Sequence, residues 1–292
     1  MKSKKEQLAL LLRKHAQQEW STETGIEGVR IYRTDHPTEL KSAIYRPNVI
    51  IVGQGAKRAY INDQALTYDA QNYLILSAPL PLDSQVITAS PERPFLSLMI
   101  NVDIPIIREL ILDLDDDQLK PGSTQTSISS SQVTEQLLDA TLRLMNSLDN
   151  ERDCKVLGPM IKREILYLML EGEQGKYLRS IALQQGQFHR ISRVIQQIHM
   201  EYNQDFDVTG MAEMANMSPS TFHLNFKAAT SLSPLQYLKK IRLHQARDLM
   251  IQQGLNASEA AYEVGYQSTS QFSREFKRLF GLPPTEEVAR FF

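Results

Sequence analysis

The sequence predicts an α+β protein, with an antiparallel, β-rich N-terminal part followed by an all-α C-terminal part. Two observations support this prediction. Between residues 24 and 102, short strand-like runs follow one another at close spacing. Near the C-terminus one helical pattern occurs twice, offset by fifty residues, which indicates a duplicated structural unit. The matched positions are Ser218 and Ser268, Phe222 and Phe272, Phe226 and Phe276, and Lys227 and Lys277.

The N-terminal part is predicted to begin with a helix over residues 4–20, where leucines recur at helical spacing. Strands are expected beyond it, because alternating or apolar runs are separated by turn residues such as Asn62 and Asp63. These runs cover residues 29–33, 48–52, 57–61, 65–68, 73–77, 84–89 and 95–102. Their close spacing predicts a compact antiparallel barrel or sandwich.

Two helices and a loop are predicted after the strands. Residues 132–148 and 156–170 carry apolar side chains at helical spacing. Helices of this kind either cover the β-structure or pair with a second subunit, and the sequence leaves both options open. The segment 121–131, rich in serine and threonine, is predicted to be a flexible loop, and the acidic run 113–117 a solvated loop or the start of a helix.

Each copy of the C-terminal repeat is predicted to hold two short helices joined by a tight turn. In the second copy, Ser258 can cap a helix that ends near Gly265. Ser268 can cap a second helix, over residues 269–280, whose inward positions form one apolar face. Those positions are Phe272, Phe276, Leu279 and Phe280. The same plan places the second helix of the first copy over residues 219–229.

Two short helices joined by a tight turn are the core of a helix-turn-helix, whose second helix enters the DNA major groove. The alternative is a pair of amphipathic helices with a solvated polar face, and two copies in register disfavour it. The helical segment between the copies, residues 234–251, spans roughly 27 Å, close to one DNA turn of about 34 Å. We therefore expect the two second helices to meet successive major grooves.

Residues 190–284 resemble the DNA-binding domain of the AraC/XylS family of bacterial transcription regulators. The segments that carry this resemblance are residues 241–249, 260–268 and 272–284. Residues 24–190 resemble the N-terminal domain of one branch of that family, chiefly through residues 157–172. The resemblance implies a cupin-like barrel that holds an effector. The expected domains are therefore residues 1–185, for sensing and dimerisation, and residues 186–292, for DNA binding.

The resemblance also implies the partners of the chain. They are double-stranded promoter DNA, a small-molecule effector, RNA polymerase and a second copy of the chain in a homodimer. The sequence leaves open the effector, the target promoter and the choice between an activator and a repressor of transcription. The alternative function is that of a small-molecule-binding or catalytic cupin with a helical tail, which predicts no affinity for DNA.

Ten side chains are predicted to contact DNA, by the resemblance or by their outward place on the second helices. They are Ser220, Thr221, His223, Leu224 and Lys227 in the first unit, and Thr269, Ser270, Gln271, Arg274 and Lys277 in the second. Glutamine can pair with adenine, arginine with guanine, and serine or threonine with either, while lysine can contact phosphate. Leu224 departs from the family, which often has arginine there. Leucine can only touch a thymine methyl group, so we expect weaker base readout by the first unit.

Four side chains are candidates for lining an effector pocket, namely Arg33, Tyr45, Tyr60 and Tyr73. Tyrosine combines an apolar body with a hydrogen-bonding tip, although ordinary packing is the alternative for each of the four. Cys154 is a candidate sensor, because the neighbouring Arg152 and Lys155 would lower the pKa of its thiol if they were close. An inert thiol is the alternative.

Charge and cysteine content limit the possible functions. The net charge is −2 and the isoelectric point about 6.3, so the whole chain is not basic. Residues 218–280, however, carry eight basic and four acidic side chains, a local charge of +4 that suits phosphate contacts. The single cysteine excludes an intramolecular disulfide. We see no secretory signal and no apolar run of about 20 residues, so a cytoplasmic protein without membrane contact is expected.

The residues required for catalysis or metal binding are sparse. The β-rich part contains only one histidine, His36, so no histidine-based metal site is expected there. The sequence contains neither a nucleophile–base pattern nor a convincing pair of carboxylates. We therefore expect no enzyme activity, no metal and no cofactor.

Overall fold

The computed structural model describes residues 2–61, 64–114, 127–173, 175–182 and 186–291. Within this part of the chain a first helix, α1 (Lys4–His15), precedes the β-structure and ends earlier than predicted. The described strands are β1 Trp20–Glu23, β2 Val29–Thr34, β3 Lys41–Tyr45, β4 Asn48–Gln54, β5 Ala56–Ile61, β6 Gln64–Asp69, β7 Asn72–Leu76, β8 Leu80–Thr88, β9 Phe95–Asn101 and β10 Ile128–Gln132. All of their pairings are antiparallel, which confirms the predicted strand arrangement.

The strands form two sheets, in the orders β1-β2-β9-β4-β7-β10 and β3-β8-β5-β6. The sheets pack face to face, because Ile50, Leu74 and Phe95 of the six-stranded sheet share one core with Leu82 and Val86 of the four-stranded sheet. Among the described residues no ladder joins the edges of the two sheets, so the structure is an open sandwich and not a closed barrel. Two sheets that cover each other's apolar faces need no such closure.

Helices cover the outer face of the six-stranded sheet. They are α2 Ile104–Asp113, α3 Glu135–Ser147 and α4 Glu151–Glu171, together with α1. Alternation along β4 directs Val49 and Ile51 to this side, where they join Leu12 of α1 and Ile165 of α4 in a second core. Both helices predicted after the strands are therefore confirmed, and they cover the sandwich.

One loop prediction is wrong. Residues 128–131 do not form part of a flexible loop but lie in β10, which pairs with β7 and sets Ile128 opposite Leu76. The pairing uses backbone groups, so three consecutive serines do not prevent it. Residues 121–126 of that predicted loop lie outside the described residues.

Other differences concern whole elements that were not predicted and the end of one helix. Strands β1 and β3 and helix α2 are not indicated by the sequence patterns. Asp113 is the last residue of α2, so the acidic run begins at a helix end and not at a helix start. Residues 115–117 of that run and the predicted turn at residues 62 and 63 lie outside the described part of the chain.

The described residues of the C-terminal part form helices joined by short turns and loops, with no strand among them. Its helices are α5 Gly175–Ala182, α6 Gly186–Met200, α7 Val208–Met214, α8 Pro219–Thr230, α9 Pro234–Gln253, α10 Ala257–Glu263, α11 Thr269–Phe280 and α12 Pro284–Ala289. Helices α7 and α8 form the first repeated unit, and α10 and α11 form the second. The two units are joined by α9, as the sequence predicts.

The helix caps follow the prediction except at α10. The hydroxyls of Ser218 and Ser268 each accept a hydrogen bond, at 3.3 Å, from the backbone N–H three residues later. These bonds satisfy one of the free N–H groups at the start of α8 and α11. The cap of α10 is Asn256 and not Ser258, because the Asn256 Oδ1 atom accepts bonds from two backbone N–H groups at 2.9 and 3.0 Å.

The two units differ in the core to which they belong. Phe222 and Phe226 of α8 and Tyr237 of α9 lie in the same hydrophobic core as the inner faces of the sandwich. Phe272 and Phe276 of α11 lie in a separate core, built from α9, α10 and α11. The first unit is therefore packed together with the sandwich, whereas the second unit has a core of its own.

Polar contacts reinforce the junction between α9 and the sandwich. The Tyr237 hydroxyl donates to the Pro79 carbonyl at 2.7 Å and lies 2.8 Å from His199 Nε2. His244 Nε2 lies 3.2 Å from the Ser42 hydroxyl of β3. Burial, reinforced by nearby cationic side chains, lowers the pKa of His199 to about 4 and that of His244 to about 3. Both imidazoles are consequently neutral at pH 7.

Acidification is expected to destabilise the folded chain, because its two buried histidines resist protonation while those of the unfolded chain do not. The contribution of the two neutral histidines to the free energy of unfolding is complete above about pH 6.5. It is lost as the pH falls toward their lowered pKa values, by up to about 1.4 kcal/mol per pH unit for each histidine. Urea denaturation at about pH 7 and pH 5 measures this loss. The loss should be smaller in His244→Gln and unchanged in His223→Gln, a variant at an exposed position. Equal losses in all three proteins would contradict the assignment.

Candidate nucleic-acid interface

The second helix of the first unit, α8, presents a polar face to solvent. Phe222 and Phe226 are buried, with ring centroids 5.4 Å apart. The predicted DNA-contacting side chains lie on the opposite face and are exposed, namely Ser220, Thr221, His223, Leu224 and Lys227. Leu224 is 70% exposed. The structure therefore brings together all five candidates of this unit.

The second helix of the second unit, α11, is arranged in the same way. Phe272 and Phe276 are buried, again with centroids 5.4 Å apart. Ser270, Gln271, Arg274 and Lys277 are exposed, and Thr269 is half-buried at the start of the helix. The equal ring spacing in α8 and α11 shows that the repeat in sequence is also a repeat in structure.

Glu275 holds one of the predicted base-contacting side chains in place. Its carboxylate accepts bonds from Lys239 Nζ at 2.7 Å, Gln271 Nε2 at 3.1 Å and the Tyr266 hydroxyl at 2.8 Å. Burial acts to raise the pKa of Glu275, but these three bonds outweigh it and the pKa is lowered. Because one N–H of Gln271 is engaged, its carbonyl oxygen and its second N–H remain for a base. The sequence pattern does not indicate this role for Glu275, because its partners lie on α9, on α11 and in the turn before α11.

Arg242 of α9 joins the two units. Its guanidinium donates to the carbonyls of Tyr202, Gln204 and Gly265, at 2.7, 2.8 and 3.1 Å. Tyr202 and Gln204 precede the first unit, whereas Gly265 lies in the turn of the second. A Cβ atom at Gly265 would lie 2.6 Å from the Asn203 carbonyl oxygen, so only glycine allows this close approach. The arrangement fixes the turn of the second unit against the segment that leads into the first.

The positive patch is smaller than the count of +4 suggests. Arg242 is used internally, and Arg247 lies 4.5 Å from the ring centre of Phe280 and 3.6 Å from Glu287. Lys239 is paired with Glu275, and Lys240 lies 3.4 Å from Asp83 of the sandwich. The exposed cations of the two outward helix faces are Lys227, Arg274, Lys277 and Arg278. Phosphate contacts are thus expected from few side chains.

Two capped helix-turn-helix units held by one connecting helix, beside a β-sandwich, define the chain as a protein with a duplicated DNA-binding fold. The model of the AraC-type transcriptional regulator N-terminus matches residues 25–177, just over half of the chain, and a helix-turn-helix domain model matches residues 211–290. The chain belongs to the AraC-type transcriptional regulators.

Curated relatives and solved structures agree with this family. The HTH-type transcriptional activator RhaS of Salmonella schwarzengrund (strain CVM19633) is 25% identical over 174 residues, which cover 58% of this chain and 61% of RhaS. The chain thus spans about three-fifths of the length of the curated relatives it matches. An apo variant of ToxT from Vibrio cholerae strain SCE256 has a TM-score of 0.58 at 11% identity, over 94% of this chain and all of ToxT. Fatty-acid-bound wild-type ToxT gives 0.57 at 12% identity, over 89% and 94%. At this identity the likeness concerns the fold alone.

The four candidates for an effector pocket do not come together. Only Tyr45 is directed between the sheets, where its hydroxyl lies 2.8 Å from Ser84 Oγ. Arg33 forms a bidentate pair with Asp35 on the side of α1, and the Tyr60 hydroxyl accepts a bond from Gln85 at the outer face of the four-stranded sheet. Tyr73 is buried under α4, in the helix-covered core. Alternation along the strands separates these side chains.

Cys154 does not have the surroundings of a reactive thiol. It lies in the first turn of α4, and its Sγ atom packs against Gly25, where a Cβ atom would be only 2.7 Å away. Burial and the carboxylate of Glu151 raise the pKa of the thiol. The flanking cations therefore do not lower the pKa of the thiol, as the sensor hypothesis requires, and the geometry favours the alternative of an inert thiol.

The described residues contain neither a metal-binding cluster nor a membrane-spanning helix. No group of three or more histidine, cysteine, aspartate or glutamate side chains there is arranged to hold a metal ion. None of the described helices combines the length and apolarity that a membrane-spanning helix needs.

Proposed function

We propose that the chain is a sequence-specific DNA-binding transcription regulator that reads two adjacent major grooves. Residues 1–185 sense a small molecule and mediate association, and residues 186–292 bind DNA. The observation that carries this proposal is the pair of outward polar faces on α8 and α11, each capped by serine and backed by two buried phenylalanines. The 20 residues of α9 separate them by a length of roughly 30 Å, which suits one DNA turn.

The proposed effector acts through the junction of the sandwich with the first unit. A molecule bound between the sheets changes the packing of the inner core, and Phe222, Phe226 and Tyr237 belong to that same core. Effector binding would therefore shift the equilibrium between placements of α8 and change promoter occupancy. An unsaturated fatty acid is bound to ToxT in one of the similar structures, which supports the proposal that this chain also binds a small molecule.

Association with a second copy is proposed through α4. Val156 and Met160 lie one turn apart on its outer face and are 61% and 64% exposed, with Leu157 beside them. Exposed apolar side chains at this spacing form the kind of stripe that a second helix covers. RNA polymerase is proposed as a further partner because the similar RhaS proteins are transcriptional activators.

Selection from random duplex DNA tests the proposed function directly. Purified full-length protein is mixed with the pool at low salt, and the retained fraction is sequenced. We expect a motif with two conserved blocks about one helical turn apart. Absence of any enriched motif would contradict DNA reading and leave the alternative of a ligand-binding protein with a helical tail.

Replacing Arg274 by alanine is expected to weaken binding to the selected motif by about 1–3 kcal/mol and to relax the preference at one base pair. The matched change Lys277→Ala, one turn along α11, should weaken binding to all DNA alike and reduce the salt dependence. Fluorescence anisotropy with cognate and scrambled duplexes at several salt concentrations separates the two effects. If Arg274→Ala bound both duplexes as the unchanged protein does, the placement of α11 in the major groove would be contradicted.

A further inference from the structure

One apolar side chain lies in the middle of the outward face of α8. Leu224 is 70% exposed, and on the outward faces of α8 and α11, both of which the structure describes in full, it is the one large apolar side chain that is exposed. It lies one turn beyond Ser220 and one turn before Lys227, so these three side chains form a stripe along the helix. Leu224 therefore gains free energy when another apolar group covers it.

The repeat gives Leu224 a counterpart of opposite chemistry in the second unit. Fifty residues further along the chain, the matching position of α11 is Arg274. The buried phenylalanine rings of the two helices have the same centroid distance, 5.4 Å, and the same interplanar angle, 55°, so the two side chains leave equivalent points of the two helices. Arg274 Nε donates to the Ser270 carbonyl at 3.3 Å, which leaves its terminal N–H groups for a base. A placement that sets Arg274 against a base edge sets Leu224 against one as well.

The polar side chains beside Leu224 are poorly suited to identify the same base pair. Helix α8 contains neither arginine nor glutamine, which pair with two atoms of guanine or adenine. Its one asparagine, Asn225, is half-buried and donates to Met217 Sδ at 3.7 Å. The Thr221 hydroxyl accepts a bond from the Ser218 hydroxyl at 2.9 Å and is thereby tied to the helix cap. The central position of the face is left to a hydrocarbon.

The major groove offers one apolar group to such a side chain, the C5-methyl group of thymine. Cytosine and uracil carry a hydrogen at the same ring position, whereas 5-methylcytosine carries the same methyl group. The remaining atoms that purines and pyrimidines present to the groove are hydrogen-bond donors and acceptors, which a leucine cannot pair. Removal of one methyl group from water corresponds to a gain of about fourfold in affinity.

We propose that Leu224 makes α8 a reader of pyrimidine methyl groups. One base pair of the block under α8 is selected for its C5-methyl group, whereas the matching base pair under α11 is selected by hydrogen bonds from Arg274. The two units thus present the same backbone but different chemistry, which fixes the direction in which the chain lies on its site. The same contact makes the α8 block sensitive to cytosine methylation. This inference rests on the proposed function and specifies the base chemistry of the first unit.

Exchange of thymine for uracil tests the proposal, because it removes the methyl group and keeps every hydrogen-bonding atom. The selected motif is synthesised with deoxyuridine in place of each thymidine in turn, and binding of the full-length protein is measured by fluorescence anisotropy. The base preference that Arg274→Ala relaxes marks the block under α11, so the other block belongs to α8. We expect one thymine of the α8 block at which uracil weakens binding about fourfold. Cytosine at that position should bind more tightly, by a similar factor, once it is methylated at C5.

Two variants of Leu224 assign the methyl effect to this side chain. Leu224→Ala removes the branched end of the side chain at an exposed position and should bind the thymine and uracil duplexes equally. Leu224→Arg gives α8 the side chain of α11 and should change the preference at that base pair from thymine to guanine. Lys227→Ala, on the same stripe, is the matched control. It should weaken binding to all duplexes alike and retain the difference between thymine and uracil.

Two results would overturn the proposal. The first is an α8 block in which no thymine responds to uracil, as expected if Leu224 contacts a protein partner and not a base. The second is a uracil effect that persists unchanged in Leu224→Ala, which would assign the methyl contact to another side chain such as Thr221. A two-block motif together with either result rejects methyl reading alone and leaves DNA reading intact. Absence of any selected motif rejects the DNA reading on which the proposal depends.

Discussion

Replacing Arg242 by methionine is expected to destabilise the DNA-binding part by about 3 kcal/mol and to uncouple its two units. Methionine keeps much of the apolar stem but removes the guanidinium. The carbonyls of Tyr202, Gln204 and Gly265 then lose their donors, and the half-buried ones are poorly reached by water. Bonds from a charged donor contribute more than neutral ones, which is why a single side chain has so large an effect.

Two measurements test this expectation. Urea denaturation gives the loss of stability, and anisotropy with duplexes of altered block spacing gives the coupling between units. The variant should bind the selected motif more weakly and tolerate added or deleted base pairs between the blocks. Arg278→Met is the control, since Arg278 is exposed on α11 and should affect neither stability nor spacing. A spacing preference as strict as that of the unchanged protein would show that Arg242 does not join the units.

Replacing Phe272 by alanine is expected to cost about 3–5 kcal/mol, because a fully buried aromatic ring is lost from a small core. The loss should be confined to the second unit, since its core is separate from that of the sandwich. Circular dichroism should then show part of the helix signal lost at lower urea, while the fluorescence of Trp20, in β1, keeps its original midpoint.

The equivalent change in the first unit provides the matched control. Phe222→Ala removes the same side chain from the corresponding position of α8, but its core continues into the sandwich. Here the helix signal and the Trp20 fluorescence should shift together. A separate helix transition in Phe222→Ala, or a joint one in Phe272→Ala, would contradict the division of the cores.

Local patterns were sufficient to predict the repeated units. The serine caps and the buried phenylalanines of α8 and α11, together with the stopping glycine of α11, lie within a few residues of one another, so one sequence window contains the whole argument for each helix. The exposed face of each helix follows from the same periodicity. This is why the predicted outward residues of these two helices are found on the surface.

Contacts between distant segments could not be predicted in this way. In the sequence, Arg242 is one more cation on a helix face. Its contact with the Gly265 carbonyl, 23 residues further along the chain, depends on the fold. Lys57 reads as a polar residue of a strand, because its inward direction depends on register with β6 and β8. Tyr45, Tyr60 and Tyr73 lie on different faces of the sheets for the same reason, since composition does not tell which sheet face a side chain occupies.

Because α8 shares its core with the sandwich and α11 does not, the two helices are expected to unfold locally in different opening reactions. Amide protons of α8 exchange with solvent only when the cooperative unit that contains the sensor opens, whereas those of α11 can exchange through a smaller, independent opening. A ligand that stabilises the sandwich therefore slows exchange in α8 and leaves α11 unaffected. Under the proposed function, α8 would respond to the state of the N-terminal domain through the shared core, whereas α11 would not.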